Sequence, residues 1–325
     1  MRSILSLAKR AFSGLRLRLL LMVLLACAPL VALVLHAAWE DRRRARAAWQ
    51  SQLGNILQIA RNEEKKIVDS TRQLLLAVSE VSGVPTFDPE AANISLLGIH
   101  KSYSRYANLG LLATNGDVVA SAAPAREANL RGHLFFKRVM ERHTFAVGGV
   151  SFPASSGGSP HVFFGYPVRN AAGNLTGVVY ADLDLNARAQ DSDIRRNLPA
   201  STTWMAVDWR GRILASFGPA GGTREDNRNR PRLPQTERPG RKLTDGWLLT
   251  NAFTQFSGTL EARDRDGTWN VYAFAPLRSR FVSGDAAGIL ATPREALFAA
   301  ADRALRTNLV ALAIAAVIAL ALVWI

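Results

Sequence analysis

The sequence predicts an α+β protein: a long N-terminal helix, then two similar antiparallel-sheet modules, flanked by two transmembrane helices. Three observations carry this. An uncharged apolar stretch stands near each end of the chain. The segment after the first stretch is free of proline, with apolar residues at heptad spacing. A strand–turn–strand pattern from the middle of the chain recurs about 95–110 residues further on.

The first apolar stretch, Leu19 to Trp39, holds no lysine, arginine or acid over about 21 residues. As a helix it would measure about 30 Å, enough to cross a bilayer. A cleaved signal peptide would have a shorter apolar core. The second, Thr307 to Ile325, is likewise uncharged, with Trp324 where an interfacial aromatic would sit. Arg2, Lys9, Arg10, Arg16 and Arg18 precede the first stretch with no acid among them, which places the N-terminus in the cytoplasm. Residues of about 40–306 would then be periplasmic, anchored in a bacterial inner membrane.

From Glu40 to Val81 there is no proline and a single glycine, Gly54. Positions 53, 57, 60, 64, 67, 71, 74, 78 and 81 form an apolar stripe broken only by Glu64 and Thr71. Such a stripe fits a two-helix seam between copies of the chain, or packing on its own domain. Gly83-Val84-Pro85 ends this helix. Asp88-Pro89-Glu90 opens another, with Asp88 as N-cap.

Strands follow. Ala107–Ala113 leads through the turn pair Asn115-Gly116 into Val118–Ser121. A short amphipathic helix is expected at Phe135–Arg142, then strands at Phe145–Phe152, His161–Val168 and Thr176–Leu185. Leu112 through Ser121 aligns with Val207 through Ser216, each a strand, a glycine turn and a strand ending in Ala-Ser. Tyr166-Pro167 likewise matches Ala275-Pro276. Two α+β modules in series account for both matches. Between them, Gly218–Lys242 reads as a mobile surface loop. Thr292-Pro293-Arg294-Glu295 reads as a capping box that opens a helix into the second span.

Composition limits the function. The 325 residues are 48% hydrophobic and 20% charged, too apolar for a disordered chain. A single cysteine, Cys27, excludes an internal disulfide framework and a cysteine-based metal site. The net charge of +14 comes mainly from arginine, since only six of the 40 basic residues are lysine. These residues are scattered, with no basic helix stripe, so no nucleic-acid partner is expected. No nucleophile elbow, metalloprotease helix, phosphate loop or dinucleotide fingerprint is present, and the five histidines lack metal-ligand spacing. Asp264-Arg265-Asp266-Gly267 reads as a hairpin turn rather than a calcium loop. No enzyme activity, metal or cofactor is expected.

In this order, four segments resemble the double Cache (tandem PAS-like) extracytoplasmic sensor family of bacterial transmembrane receptors. They are Asn129–Arg138 at a helix start, Gly158–Val168 and Gly177–Leu185 as strands, and Gly288–Phe298 at the close. The resemblance implies a signalling helix over 40–82, a membrane-distal PAS-like module over 83–196 and a membrane-proximal one over 197–292. A juxtamembrane helix over 293–306 would follow. It also implies a homodimer that binds a small molecule in the distal module. The output would be a histidine kinase, diguanylate cyclase or chemoreceptor domain. The family's amino-acid-binding branch carries Arg, Trp and Tyr where this chain has His133, Phe135 and Phe136; of that set only the strand aspartate, Asp182, remains. An α-carboxylate would lack its guanidinium partner, which argues against an amino-acid ligand.

The residues themselves agree with a pocket. Period-two alternation puts Tyr180, Asp182 and Asp184 on one strand face. An ionised Asp182 on an apolar face needs a partner: a cationic or hydroxyl-bearing ligand, or a backbone N–H or arginine of its own fold. Candidate ligand contacts are Arg131, His133, Phe135, His161, Phe163, Tyr180 and Asp182. The alternative function is a membrane-anchored periplasmic binding or assembly protein without signalling output.

Overall fold

The structure, a computed structural model, describes residues 15–125, 127–153, 158–186, 192–199, 201–218, 239–243, 246–254, 257–263, 267–281 and 286–324. The chain divides into two compact units, Met1–Trp49 with Arg294–Ile325, and Gln50–Pro293.

The larger unit holds two five-stranded antiparallel sheets of the same strand order. Helix α1 (Leu15–Ser79) and helix α2 (Pro89–Ser102) precede them. The first sheet contains β1 (Asn108–Ala113), β2 (Val118–Ser121), β3 (Ala146–Ser151), β4 (His161–Arg169) and β5 (Leu175–Asp184), ordered β2-β1-β5-β4-β3. Helix α3 (Leu134–Arg142) lies between β2 and β3 in sequence. Helix α4 (Asp193–Asn197) leads to the second sheet: β6 (Thr203–Asp208), β7 (Ile213–Phe217), β8 (Gly258–Arg263), β9 (Trp269–Pro276) and β10 (Ala286–Pro293), ordered β7-β6-β10-β9-β8, with α5 (Gly246–Thr254) before β8. Helix α6 (Arg294–Trp324) closes the chain.

The repeat seen in the sequence reappears as hydrogen-bond register. Leu111 pairs with Ala120 and a bulge follows before Leu112; Ala206 pairs with Ala215 and a bulge follows before Val207. Pro167 pairs with Val178 just as Pro276 pairs with Ala287.

The heptad stripe of α1 is consumed within its own unit. Ile67, Leu74 and Val78 enter one core with Leu109, Leu111, Phe164, Val179 and Leu183 of the first sheet. Leu53 and Leu57 are buried, and a Cβ on Gly288 of β10 would lie 2.7 Å from Leu57 Cδ2, so α1 also packs on the second sheet. Thr71, an interruption in the stripe, is fully buried; its hydroxyl donates to Ile67 O and meets Tyr106 Oη at 2.7 Å. Phe281, after β9, joins the first sheet's core and its carbonyl accepts from Val150 N–H at 2.7 Å.

Asp88 caps α2 through Glu90 and Ala91 N–H, as expected from its sequence. The expected capping box at Thr292 does not form. Thr292 and Pro293 remain in β10, paired with Val271 and Asn270, and α6 begins at Arg294. Most of the Gly218–Lys242 loop, and Asp264, Arg265 and Asp266, lie outside the described residues.

In the smaller unit, Arg42 of α1 pairs with Asp302 of α6 at 2.7 Å, and the Arg46 guanidinium lies over the Phe298 ring. Among the described residues no helix is long and apolar enough to cross a membrane. Part of each expected span, Leu19–Trp39 and Thr307–Ile325, lies outside the residues whose side chains are described. Within the described part, apolar side chains face outward, among them Leu25 at 71% and Val317 at 65% exposure.

Candidate functional site

The first sheet has one face on α1 and α2, and the candidate site is on the other. Register sets its members. Asn108 pairs with Asp182, Gly110 with Tyr180 and Leu112 with Val178; on the far side of β5, Phe163 pairs with Asp182 and Gly165 with Tyr180. Directly paired residues share a face, so Asn108, Tyr180, Asp182, Phe163 and, two positions on, His161 stand together. Phe135, Phe136 and Val139 of α3 cover the Leu112, Val178 and Tyr180 end of this face.

Glycines make the room. Tyr180 is flanked by Gly110 and Gly165, and its ring lies where a Cβ on Gly110 would be. A Cβ on Gly165 would stand 2.8 Å from Phe135 Cδ2 and 3.0 Å from Val139 Cγ2, so the helix seats directly on the strand.

A cleft of about 460 Å³ opens beside α3, lined by Glu127, Asn129, His133, Phe135, Phe163 and Gly148 to Ser151 of β3. Phe135 and Phe163 stack at 5.6 Å between centroids, and the His133 ring meets Phe163 edge-on at 4.9 Å. His133 Nε2 lies 3.0 Å from Glu127 Oε2. A smaller recess of about 20 Å³ shares Glu127 and Phe163 with the cleft and is floored by Asn108, Tyr180 and Asp182.

Asp182 is 3% exposed, and its partner is His161, itself fully buried, whose Nδ1 stands 2.6 Å from Asp182 Oδ1. Among the described residues neither a backbone N–H nor an arginine, two of the alternatives the sequence left open, takes this place. Asp184 Oδ2 is 3.8 Å from the other ring nitrogen of His161. Asn108 Nδ2 donates to Tyr180 Oη at 3.2 Å and to Ser121 Oγ at 2.8 Å. Burial pushes the Tyr180 hydroxyl up to about 12, the bond with Ser121 opposing this and the Asp182 charge adding to it.

Of the seven residues singled out in the sequence, His133, Phe135, Phe163, Tyr180 and Asp182 line the cleft or its recess. His161 sits behind Asp182 rather than in the wall. Arg131 is exposed and outside the lining; its side chain is beside Gly116 of the β1–β2 turn. Sequence reasoning missed Asn108 and Glu127. Asn108 opens β1 opposite Asp182 and is legible once the strand register is known, whereas Glu127 lies in a coil with no motif to mark it.

No family model and no curated protein matches this chain. Solved structures do. The extracellular domain of vpHK1S-Z8, described as a candidate histidine kinase, superposes with a TM-score of 0.54 at 12% identity, over 83% of this chain and 98% of that one. The sensor domain of the histidine kinase DctB from V. cholerae gives 0.52 at 15% identity, over 76% and 96%. A domain of a candidate sensory box/GGDEF family protein from Vibrio parahaemolyticus gives 0.52 at 11% identity, over 79% and 99%. The match to an extracellular ligand-binding receptor from Desulfohalobium retbaense takes in 74% of this chain and only 39% of the receptor. The fold is the tandem PAS-like fold of extracellular sensor domains.

Proposed function

We propose that this chain is the ligand-sensing part of a bacterial inner-membrane receptor, and that the cleft over β4 and β5 holds its small-molecule ligand. One observation carries the reading: a buried carboxylate, Asp182, lines the small recess that adjoins an aromatic-walled cleft, with the His161 imidazole as its partner among the described residues. Among the described residues lining the cleft there is no arginine or lysine, and the carboxylates Glu127 and Asp182 set its charge. Phe135 and Phe163 add ring faces suited to a cation. A small organic cation or a hydroxyl-rich molecule therefore fits better than a carboxylate. Asp182→Asn should abolish the stabilisation that such a ligand gives in a thermal-shift panel of amines, polyols and organic acids. Equal stabilisation of both proteins, or a response to acids alone, would overturn the assignment.

The same reading assigns Leu19–Trp39 and Thr307–Ile325 as membrane anchors, with 40–306 periplasmic. The arginine- and lysine-bearing N-terminus and the outward apolar side chains of the smaller unit support it. The distal module (83–196) senses, and the proximal one (197–292) relays. The receptor works as a homodimer, whose output is a histidine kinase or diguanylate cyclase domain. Ligand binding favours one of two pre-existing arrangements of the membrane-connected helices.

A further inference from the structure

A second cavity, of about 130 Å³, lies between the two sheets and against α1, apart from the cleft described above. Its wall is apolar: Ile67 of α1, Val150 of β3, Ile194 of α4, Trp204 and Leu214 of the second sheet, and Phe281. Against this wall stand two adjacent carboxylates of α1. Glu63 is 9% exposed and fully engaged, Oε2 accepting from the Ser192 hydroxyl at 3.0 Å and Oε1 from the Asp193 N–H. Glu64 accepts from the Arg280 N–H and the Ser279 hydroxyl and feels the Arg280 charge, yet burial outweighs all three and pushes its carboxyl above the usual range. No lysine, arginine or histidine is among the described residues lining the cavity.

We propose that this inter-sheet cavity is a binding site for a small apolar amine, its ammonium paired with Glu64 and its hydrocarbon body on Ile67, Trp204 and Phe281. The chemistry follows from the wall. An apolar surround rejects a hydrated ion that brings no hydrocarbon, and a half-buried carboxylate rejects an anion. Size follows from volume: about 150 Å³ accommodates benzene, so this pocket of about 130 Å³, which is open on one side, takes a single ring or a branched alkyl chain. A molecule there touches α1 and both sheets at once, and so binds with different strength to different arrangements of the three. The site does not depend on the reading of the distal cleft.

Calorimetric titration of the purified full chain in nanodiscs, with benzylamine and its uncharged analogue benzyl alcohol as probes, tests this. Benzylamine should bind saturably and at least tenfold more tightly than benzyl alcohol. With the titration run in a chain already carrying Asp182→Asn, so that amine binding at the distal cleft does not contribute, Glu64→Gln should erase that tenfold preference and Leu214→Trp should block both probes. Absence of saturable benzylamine binding in that chain, equal affinity for the two probes, or retention of the preference in Glu64→Gln would overturn the proposal. Should Leu214→Trp fail to fold, the Glu64 variant decides the matter.

Discussion

Single residues distinguish the two sheets at the positions that frame the distal cleft. Matching the two registers puts Asn270 at the place of His161, Tyr272 at Phe163, Ala291 at Asp182, Ile289 at Tyr180, Met205 at Gly110 and Phe274 at Gly165. Methionine and phenylalanine fill what two glycines leave open. Asn270 meanwhile keeps a polar side chain where its counterpart's aspartate has become alanine. It is fully buried, and among the described residues neither amide atom has a hydrogen-bond partner. Leaving such a group unpaired costs about 1–3 kcal/mol, so Asn270→Leu, of similar shape, should raise stability to chemical denaturation by about 1 kcal/mol; a loss would show that the amide is needed. Tyr180 gives a pH signature. Its folded value near 12 lies above the unfolded value of about 10. The neutral ring is thus favoured in the fold, and that stabilisation is complete below pH 10 and is lost as pH rises through 12. Tyr180→Phe should flatten the alkaline limb of the stability curve, and an unchanged limb would assign it elsewhere.

At the scale of elements, α1 is held by polar residues that look like faults in its stripe. Thr71 and Tyr106 share a buried hydroxyl pair, and burial raises the Tyr106 hydroxyl above its ordinary range, the Thr71 bond working against that rise. Thr71→Val keeps the shape and strands the phenol, which should cost about 1–3 kcal/mol and move the Tyr106 titration, followed by ultraviolet absorbance, further upward. No movement would mean that the pair contributes nothing. The same helix shows how far sequence reached. The hairpins, the repeat, the Asp88 cap and the strand face bearing Tyr180 and Asp182 were legible because each depends on neighbours in the chain or on simple alternation. The partner of Asp182 was not, because His161 lies diagonally across a strand pair whose register only the folded sheet sets. Nor was the work of Glu63 and Glu64, whose partners at Ser192, Asp193 and Arg280 are remote in sequence. Pro293 misled for a local reason: it suits a first helical turn and also the end of a strand, and pairing with β9 decided between them.

For the whole molecule, the reading stands or falls with sidedness. A reporter that is active only outside the cytoplasm, inserted at Asn174 in the exposed β4–β5 turn, should be active in cells, and one fused before Leu15 should not. The opposite pattern would remove the receptor assignment while leaving the fold untouched. Within the larger unit, Glu63 and Glu64 impose one more constraint. Successive helical residues project about 100° apart, and these two grip different strands of backbone, at Asp193 and at Arg280. Turning α1 about its own axis within this unit would tear both grips at once. Here α1 is pinned like a keyed shaft, held at two points that face different ways.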